Sequence, residues 1–291
     1  MKNYTLILGE SPSKGARSPI LWNKTYEHLN IDQKMYPKDI IPDDFDNEIV
    51  KIFKDKFYLG GAVAVPFKEK IINYTANKNE IISGPKAVNC LVRKNDKLFG
   101  YNTDGIATAN ILDKSVKKDE VEQIIIFGTG GMGKAVISEV SNRYTDAEIF
   151  IVNRELDYFF YRNGQLVKTK KRIDKKLNSV LINCSSAGYF NDIEIGKTNK
   201  KVLSAHNYFV KSTDKYDILR DCVTKLQSFK NILFVLDVIY QPEKTILLTA
   251  ADYLGISNQN GLEINLLQAA IGFNIINKEE KLSNILNIMR S

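Results

Sequence analysis

Residues 123–140 read QIIIFGTGGMGKAVISEV, and few folds accept such a stretch. The run from Gln123 to Phe127 is nearly all apolar, as a strand covered on both faces must be. Gly128, Gly130 and Gly133 follow at the spacing GxGxxG, with Gly131 among them, and an amphipathic run follows. Each glycine meets a different need. The first allows a tight turn, the second lets backbone approach a pyrophosphate, and the third lets helix and strand close together. The helix that follows turns its free amides and positive dipole end toward the same point. The stretch therefore predicts a parallel α/β sheet flanked by helices, with a dinucleotide held at Gly128, Gly130, Gly131 and Gly133. Glycine turns of this shape also occur without a ligand, so the remainder of the chain has to support the reading.

Apolar runs and helical stretches alternate from end to end, the pattern of α/β proteins. AEIFIVNR (147–154), SVLINC (179–184) and NILFVLDVIY (231–240) predict further parallel strands of the same sheet. Upstream, TLILG (5–9) predicts a strand and SPILWNKTYEHL (18–29) a helix with Ser18 as its cap and Pro19 in its first turn. FYLGGAVAV (57–65) predicts a strand in which Gly60 and Gly61 permit close backbone approach. NCLVRKNDKLFGYN (89–102) predicts a hairpin around Asn95-Asp96, and DGIATANIL (104–112) begins a helix. After Pro242 the chain reads as wholly helical, with wide apolar stripes that must pack on something already built. The expected organisation is a two-domain α/β protein: a first domain at 1–112, a Rossmann domain at 113–240, and C-terminal helices at 241–291 that return to the first domain.

Composition narrows the function classes. A chain of 291 residues that is 44% hydrophobic and 26% charged suits a globular protein of about two domains. The apolar run near the N-terminus is too short for a signal peptide core, and no segment reaches the ~20 apolar residues of a membrane span. A soluble, cytoplasmic protein without a membrane partner is expected. Cys90, Cys184 and Cys222 are odd in number and widely spaced, which argues against a disulfide framework or a CxxC metal site. With His28 and His206 as the only histidines, a zinc or Ser-His-Asp site has almost no material, so no metal is expected. The net charge of +7 is spread over scattered lysines. The denser stretch KTKKRIDKK (168–176) lacks interleaved aromatics, so no nucleic-acid partner is expected either. A basic balance also suits small phosphorylated or carboxylated ligands.

The strand after the glycine loop ends in Val152-Asn153-Arg154, where an NAD-binding chain would place an acidic residue for the ribose hydroxyls. Asparagine removes the repulsion and arginine can pair with a 2′-phosphate, so NADP is favoured. Glu155 follows at once and opposes that preference, and an Asn-Arg helix-capping turn is the simpler alternative. A hydride delivered to a ketone leaves an alkoxide, which needs a proton donor. In the absence of histidine candidates, a lysine is the group to look for. Lys68 follows the run GGAVAVPF at the carboxyl end of a predicted strand, where ligands of α/β proteins bind, although a charged residue there also serves as ordinary surface. Asp104 in YNTDG could orient it, or could belong to a turn or helix cap.

Together these stretches resemble the shikimate dehydrogenase family. VPFKE (65–69), AVN (87–89), NTDG (102–105), GTGGMGKA (128–135), NR (153–154), DVIYQPEKT (237–245) and NGLEINLLQAA (260–270) occur in the family's order along nearly the whole chain. The resemblance makes the first domain a substrate-binding catalytic domain and implies that Lys68 and Asp104 form the catalytic pair. It further implies that Asn89 and Gln268 hold ring hydroxyls, and that Ser18 and Tyr240 reach the substrate carboxylate. The implied protein is an NADP-dependent oxidoreductase of aromatic amino acid biosynthesis, a monomer or homodimer. Its reaction would be reversible hydride transfer between the nicotinamide and the ring carbonyl of 3-dehydroshikimate and shikimate, or of a close analogue.

Several positions depart from the family's pattern. The motif SxSP reads ARSP, with Ala16 in place of one serine, and the loop before it is one residue longer, so Ser11 or Ser13 could substitute. NVTVPFK reads AVAVPFK, which puts Ala62 and Ala64 where the family has asparagine and threonine. NATSxGM is replaced by NCSSAGY (183–189), and the stretch from Asn191 to Phe229 is longer than usual. The catalytic pair is intact while the substrate shell is thinned. Two alternatives stay open: a diverged enzyme acting on quinate, an aminoshikimate or another ring acid, and a non-catalytic NADP-binding sensor. A sensor has no need of a proton relay, so the retained Lys68 and Asp104 argue against it.

Overall fold

Strand β1 (Tyr4–Gly9) starts a sheet whose early strands are linked by helices and whose late strands are linked by a tight turn. A computed structural model describes residues 2–153, 158–162, 165–189, 214–278 and 281–291. In chain order, α1 (Ser18–His28), β2 (Lys34–Asp39), α2 (Phe45–Lys54) and β3 (Tyr58–Val63) follow β1, and β1 pairs in parallel with both β2 and β3. After α3 (Lys78–Ser83), strands β4 (Cys90–Lys94) and β5 (Lys97–Tyr101) add antiparallel, giving the order β2-β1-β3-β4-β5. The expected hairpin is present. Asn95 and Asp96 both adopt left-handed backbone, with φ of 47° and 58°, as a two-residue turn matched to strand twist requires. Close packing at β3 also follows expectation: a Cβ on Gly61 would lie 2.0 Å from the Leu6 carbonyl oxygen.

Helix α4 (Thr103–Ser115) extends three residues past the expected 112. Then come β6 (Gln123–Phe127), α5 (Gly131–Arg143), β7 (Glu148–Val152), β8 (Tyr158–Arg162), β9 (Gln165–Thr169), β10 (Asn178–Asn183), α6 (Lys215–Gln227), β11 (Asn231–Asp237), α7 (Ile246–Tyr253) and β12 (Asn258–Gln259). These strands form one sheet in the order β12-β11-β10-β6-β7-β8-β9, parallel from β12 to β7 and antiparallel at β8 and β9. The predicted core strands 123–127, 147–154, 179–184 and 231–240 are therefore neighbours, as expected. Each is buried at its centre, so covering helices, and not solvent, set its composition. Helices α8 (Leu262–Asn277) and α9 (Leu282–Arg290) complete the described chain.

The residues divide into two compact units, Met1–Ala107 with Asn265–Ser291, and Thr108–Ile264. In the first, one apolar cluster joins Leu8, Phe45, Ile49, Tyr58 and Leu91. A second joins Ile7, Trp22, Tyr26 and Met35 to Leu266, Ala269 and Phe273 of α8 and to Ile285 and Met289 of α9. The Trp22 indole N–H donates to the Ala269 carbonyl at 3.1 Å, and its ring meets that of Phe273 edge-on at 5.5 Å. Each fully buried Leu, Ile, Met or Phe here contributes about 1.5–3 kcal/mol. The second unit has its own cluster around Ile125, Phe150, Leu181, Val235, Leu247 and Ala251. Among the described residues no helix is long and apolar enough to cross a membrane.

Some local expectations need correction. Ser18 is not a cap: Arg17 already has helical backbone, with φ −78° and ψ −26°, which makes Ser18 the first helical residue. The chain after Pro242 is not wholly helical, because β12 adds two residues to the sheet beside β11. Strand β2 carries Pro37, tolerated because it lies at the sheet's edge. The β8–β9 hairpin does have a signal in the sequence, Asn163-Gly164 between aromatic and β-branched residues.

Candidate active site

Lys68 owes its place to its neighbours. Beyond β3 the Ala64 N–H donates to Leu8 O (2.7 Å), the Phe67 N–H to Ala64 O (3.1 Å), and the Val88 N–H to Lys68 O (2.7 Å). Phe67 is buried and stacks on Phe45 with ring centres 4.4 Å apart, and the Val65–Pro66 bond is cis. Backbone and flanking residues are thus pinned while the lysine side chain points elsewhere. Its Nζ donates to Asp104 Oδ2 at 2.6 Å, and the two side chains are 19% and 8% exposed.

Asp104 lies in the first turn of α4. The turn reading of NTDG holds, and it falls on Asn102. Asn102 Oδ1 accepts from the N–H groups of Asp104 (3.0 Å) and Gly105 (3.2 Å), which caps the helix and leaves the Asp104 carboxylate to face Lys68. Asp104 Oδ1 accepts from Asn89 Nδ2 at 2.9 Å. That amide also reaches Thr103 Oγ1 (2.8 Å) and Gln268 Oε1 (3.3 Å), while Asn89 Oδ1 takes the Thr103 N–H at 2.7 Å. The Thr103 hydroxyl donates to the Gln268 carbonyl at 3.0 Å. Lys68, Asn89, Asp104 and Gln268, far apart in sequence, therefore meet in one network. Thr103 is a member that sequence reasoning did not single out, although it lies inside the NTDG motif.

Ser18 is buried but joins none of these hydrogen bonds. Ala16, Ala62 and Ala64 are half-buried and pack on the apolar cluster of Ile7, Trp22 and Phe273. Of the two loop serines, Ser13 donates its N–H (2.9 Å) and its hydroxyl (2.5 Å) to Asp39. Cys90, next to Asn89, is fully buried, and burial, with a smaller contribution from Asp104, pushes its thiol up to about 12. A thiol in that state is no nucleophile at neutral pH.

In the second unit the glycine loop fits a dinucleotide. Gly128 has a φ of 101°, and a Cβ on Gly133 would stand 2.2 Å from the Gly128 carbonyl oxygen. By contrast, a Cβ on Gly130 would meet nothing within 4 Å, so open space lies where a pyrophosphate would approach. Gly130 precedes α5 and offers no side-chain cap, which leaves the first helical amides for an anion. The Gly128 N–H donates to Val152 O at 2.9 Å, placing Asn153 one residue beyond that contact. Gly131 opens α5. Tyr240 is half-buried three residues after β11, and Arg154 lies outside the described residues. Among the described residues no group of three or more His, Cys, Asp or Glu side chains could hold a metal ion.

A family model described as the shikimate dehydrogenase substrate binding domain matches residues 8–91, which include Lys68 and Asn89. The shikimate dehydrogenase (NADP(+)) of Bacillus cereus strain 03BB102 is 26% identical over 277 residues, 94% of this chain and 92% of that protein. Among solved structures, the shikimate dehydrogenase of Aquifex aeolicus has a TM-score of 0.71 at 22% identity, covering 100% of this chain and 98% of that one. The Thermus thermophilus enzyme, solved with NADP(H) and shikimate, has a TM-score of 0.70 at 18% identity, covering 99% and 98%. At these identities the two structures establish a shared fold.

Proposed function

The chain belongs to the shikimate dehydrogenase family, and on that premise we propose that it is an NADP-dependent oxidoreductase of the cytoplasm. Its reaction is the reversible reduction of a ring ketone to a secondary alcohol, with 3-dehydroshikimate and shikimate, or a close analogue, as the pair. The observation that carries the reading is the buried Lys68–Asp104 pair at 2.6 Å, fixed by the Asn89 amide. The division of labour follows the two compact units: residues 1–107 with 265–291 as the substrate domain and 108–264 as the NADP domain, so the chain returns to the first domain from 265 rather than from 241, because α7 packs its Leu247 and Ala251 in the core of the second unit.

NADPH, held at Gly128, Gly130, Gly131 and Gly133 with Asn153 and Arg154 at its 2′-phosphate, supplies the hydride when bound. The chain's own work is on the proton. Lys68 Nζ gives a proton to the oxygen that becomes a hydroxyl, and in the reverse direction it takes that proton back. Asp104 keeps the ammonium in one place and compensates its charge, so the donor is aimed before substrate arrives. Asn89 and Gln268 serve the ring hydroxyls, and Ser18 and Tyr240 the carboxylate. A substrate diverged from shikimate is a second reading, favoured by the apolar packing of Ala16, Ala62 and Ala64. Initial rates followed by nicotinamide absorbance, over a panel of ring acids with NADP and with NAD, test both readings. Turnover of no ring acid with either cofactor would reject the first, and shikimate turned over with a micromolar KM would reject the second.

A further inference from the structure

Strands β10 and β11 end side by side on two polar residues with no exposed surface. Asn183 and Asp237 are register partners in that parallel pair, and each is 0% exposed. Asn183 Nδ2 donates to Asp237 Oδ1 and to the Ala187 carbonyl, both at 3.0 Å. Its Oδ1 accepts from the Ser185 N–H (3.0 Å) and the Ser185 hydroxyl (2.7 Å). Asp237 Oδ1 also accepts from the Ile239 N–H (3.0 Å), and its Oδ2 from the Thr245 hydroxyl (2.8 Å). Thr245 in turn caps α7 by accepting the Leu248 N–H. One amide and one carboxylate thus hold the turn Cys184–Gly188 after β10 and the segment Val238–Thr245, which carries Tyr240, after β11. The first of these lies against the glycine loop: a Cβ on Gly128 would be 3.0 Å from the Ser185 nitrogen.

For stability alone a carboxylate is a costly choice here. Burial pushes Asp237 up to about 7, against the pull of the Ile239 N–H, the Thr245 hydroxyl and the Asn183 amide. Among the described residues the groups that act on it are these neutral donors. The titratable residues of the two held segments are Cys184, Tyr240, Glu243 and Lys244, and Lys244 pairs with Asp252. What the carboxylate offers is two acceptor oxygens and no hydrogen. Asparagine would meet the same three donors with one oxygen, leaving a surplus of hydrogens in a closed space.

We propose that Asp237 is a positioning residue, whose ionised carboxylate holds the turn after β10 and the segment after β11 at the spacing that a bound dinucleotide requires beside Gly128. This rests on the cofactor assigned under Proposed function. Protonation would place a hydrogen among three donors and loosen both segments, so cofactor affinity falls on acidification. Stability moves the other way. The folded pKa of about 7 lies above the unfolded carboxyl value, so the folded chain binds the proton more tightly and gains stability as pH falls from about 7 toward 4.

The test is calorimetric titration of the full chain with NADP+ between about pH 5.5 and 8.5, paired with melting temperatures, on wild type and Asp237→Asn. In wild type, affinity falls roughly tenfold per pH unit below about 7 while the melting temperature rises. Asp237→Asn binds more weakly at pH 8 and lacks both trends, and comparing the two proteins cancels titration of the 2′-phosphate. Affinity that follows stability in wild type, or a variant with wild-type affinity and pH dependence, overturns the proposal. Repeating the wild-type titration with NAD+, which has no 2′-phosphate to titrate, decides the matter even if the variant does not fold: the same fall in affinity below about pH 7 is expected, and its absence overturns the proposal. Wild type that binds no dinucleotide at pH 8 would overturn the functional reading too, whereas binding without ring-acid turnover would overturn that reading alone.

Discussion

Replacing Asp104 by asparagine exchanges one oxygen for an NH2 and removes a charge from a pair that is largely out of water. Both carboxylate oxygens are occupied, Oδ2 by Lys68 Nζ at 2.6 Å and Oδ1 by Asn89 Nδ2 at 2.9 Å. An asparagine has one oxygen for two donors. The cheaper arrangement keeps it toward Lys68, because Asn89 can still use Thr103 Oγ1 and Gln268 Oε1. With side chains only 19% and 8% exposed, solvent screens the pair little. Breaking a buried pair from one side costs about 3–5 kcal/mol, and a retained neutral hydrogen bond offsets about 1, so the expected loss is about 2–4 kcal/mol. Urea unfolding at neutral pH measures it, read by Trp22, the one tryptophan of the chain, which is buried in the same unit. Turnover should fall by roughly 10²-fold or more. The double variant Lys68→Met with Asp104→Asn removes both charges and should recover stability to within about 1 kcal/mol of wild type. A single variant within about 0.5 kcal/mol of wild type, or a double variant no better than the single, would refute the claim that the pair is tightly coupled.

Lys68→Ala should lose roughly 10²-fold or more in turnover with cofactor affinity nearly unchanged, and normal turnover would remove Lys68 from the mechanism. Arg154→Ala should weaken NADP more than NAD by ~1.5–3 kcal/mol, as measured by dissociation constants; equal losses would leave the arginine a structural role. Gly133→Ala puts a methyl 2.2 Å from the Gly128 carbonyl oxygen, a backbone atom that cannot swing away. It should cost about 1–3 kcal/mol on melting and weaken NADP binding, and an unchanged dissociation constant would separate the loop from the cofactor. Ala16→Ser combined with Ala64→Thr should raise kcat/KM for shikimate, while Ser13→Ala should leave it unchanged because Ser13 is held by Asp39. Loss of shikimate turnover in the Ser13 variant would show that the longer loop does reach the ligand.

How much of this was legible differs from residue to residue. The strand, glycine loop and helix at 123–140 could be read directly, because period, spacing and turn chemistry all lie within one short window. The hairpin at Asn95-Asp96 could be read for the same reason. Lys68 and Asp104 are separated by 36 positions, and nothing local reports that two such residues meet; the resemblance supplied that pairing. Thr103 was passed over because its contribution is a hydroxyl and an N–H aimed at Asn89 and Gln268, which only tertiary packing reveals. Asn183 and Asp237 look like the polar ends of apolar strands, and their partnership depends on β10 and β11 being adjacent and in register. The β8–β9 hairpin failed to register for a different reason. An expectation of parallel strands joined by helices outweighed a turn signal already present in the residues.

The first unit is built from two stretches of sequence, with Thr108–Ile264 between them. This has a consequence for the order in which a nascent chain can fold. The interrupting unit is continuous and can condense as soon as it leaves the ribosome, whereas Trp22, Tyr26 and Met35 must wait for Phe273, Ile285 and Met289, some 250 positions later. Until those residues are synthesised, one apolar face of the first sheet is covered only in part, by α1. Lys68 and Asn89 are already made by then, but Gln268 is not, so the hydrogen-bonded network that joins them closes only near the end of translation. Premature termination between Ile264 and Phe273 would therefore leave a complete second unit and an adhesive, incomplete first one.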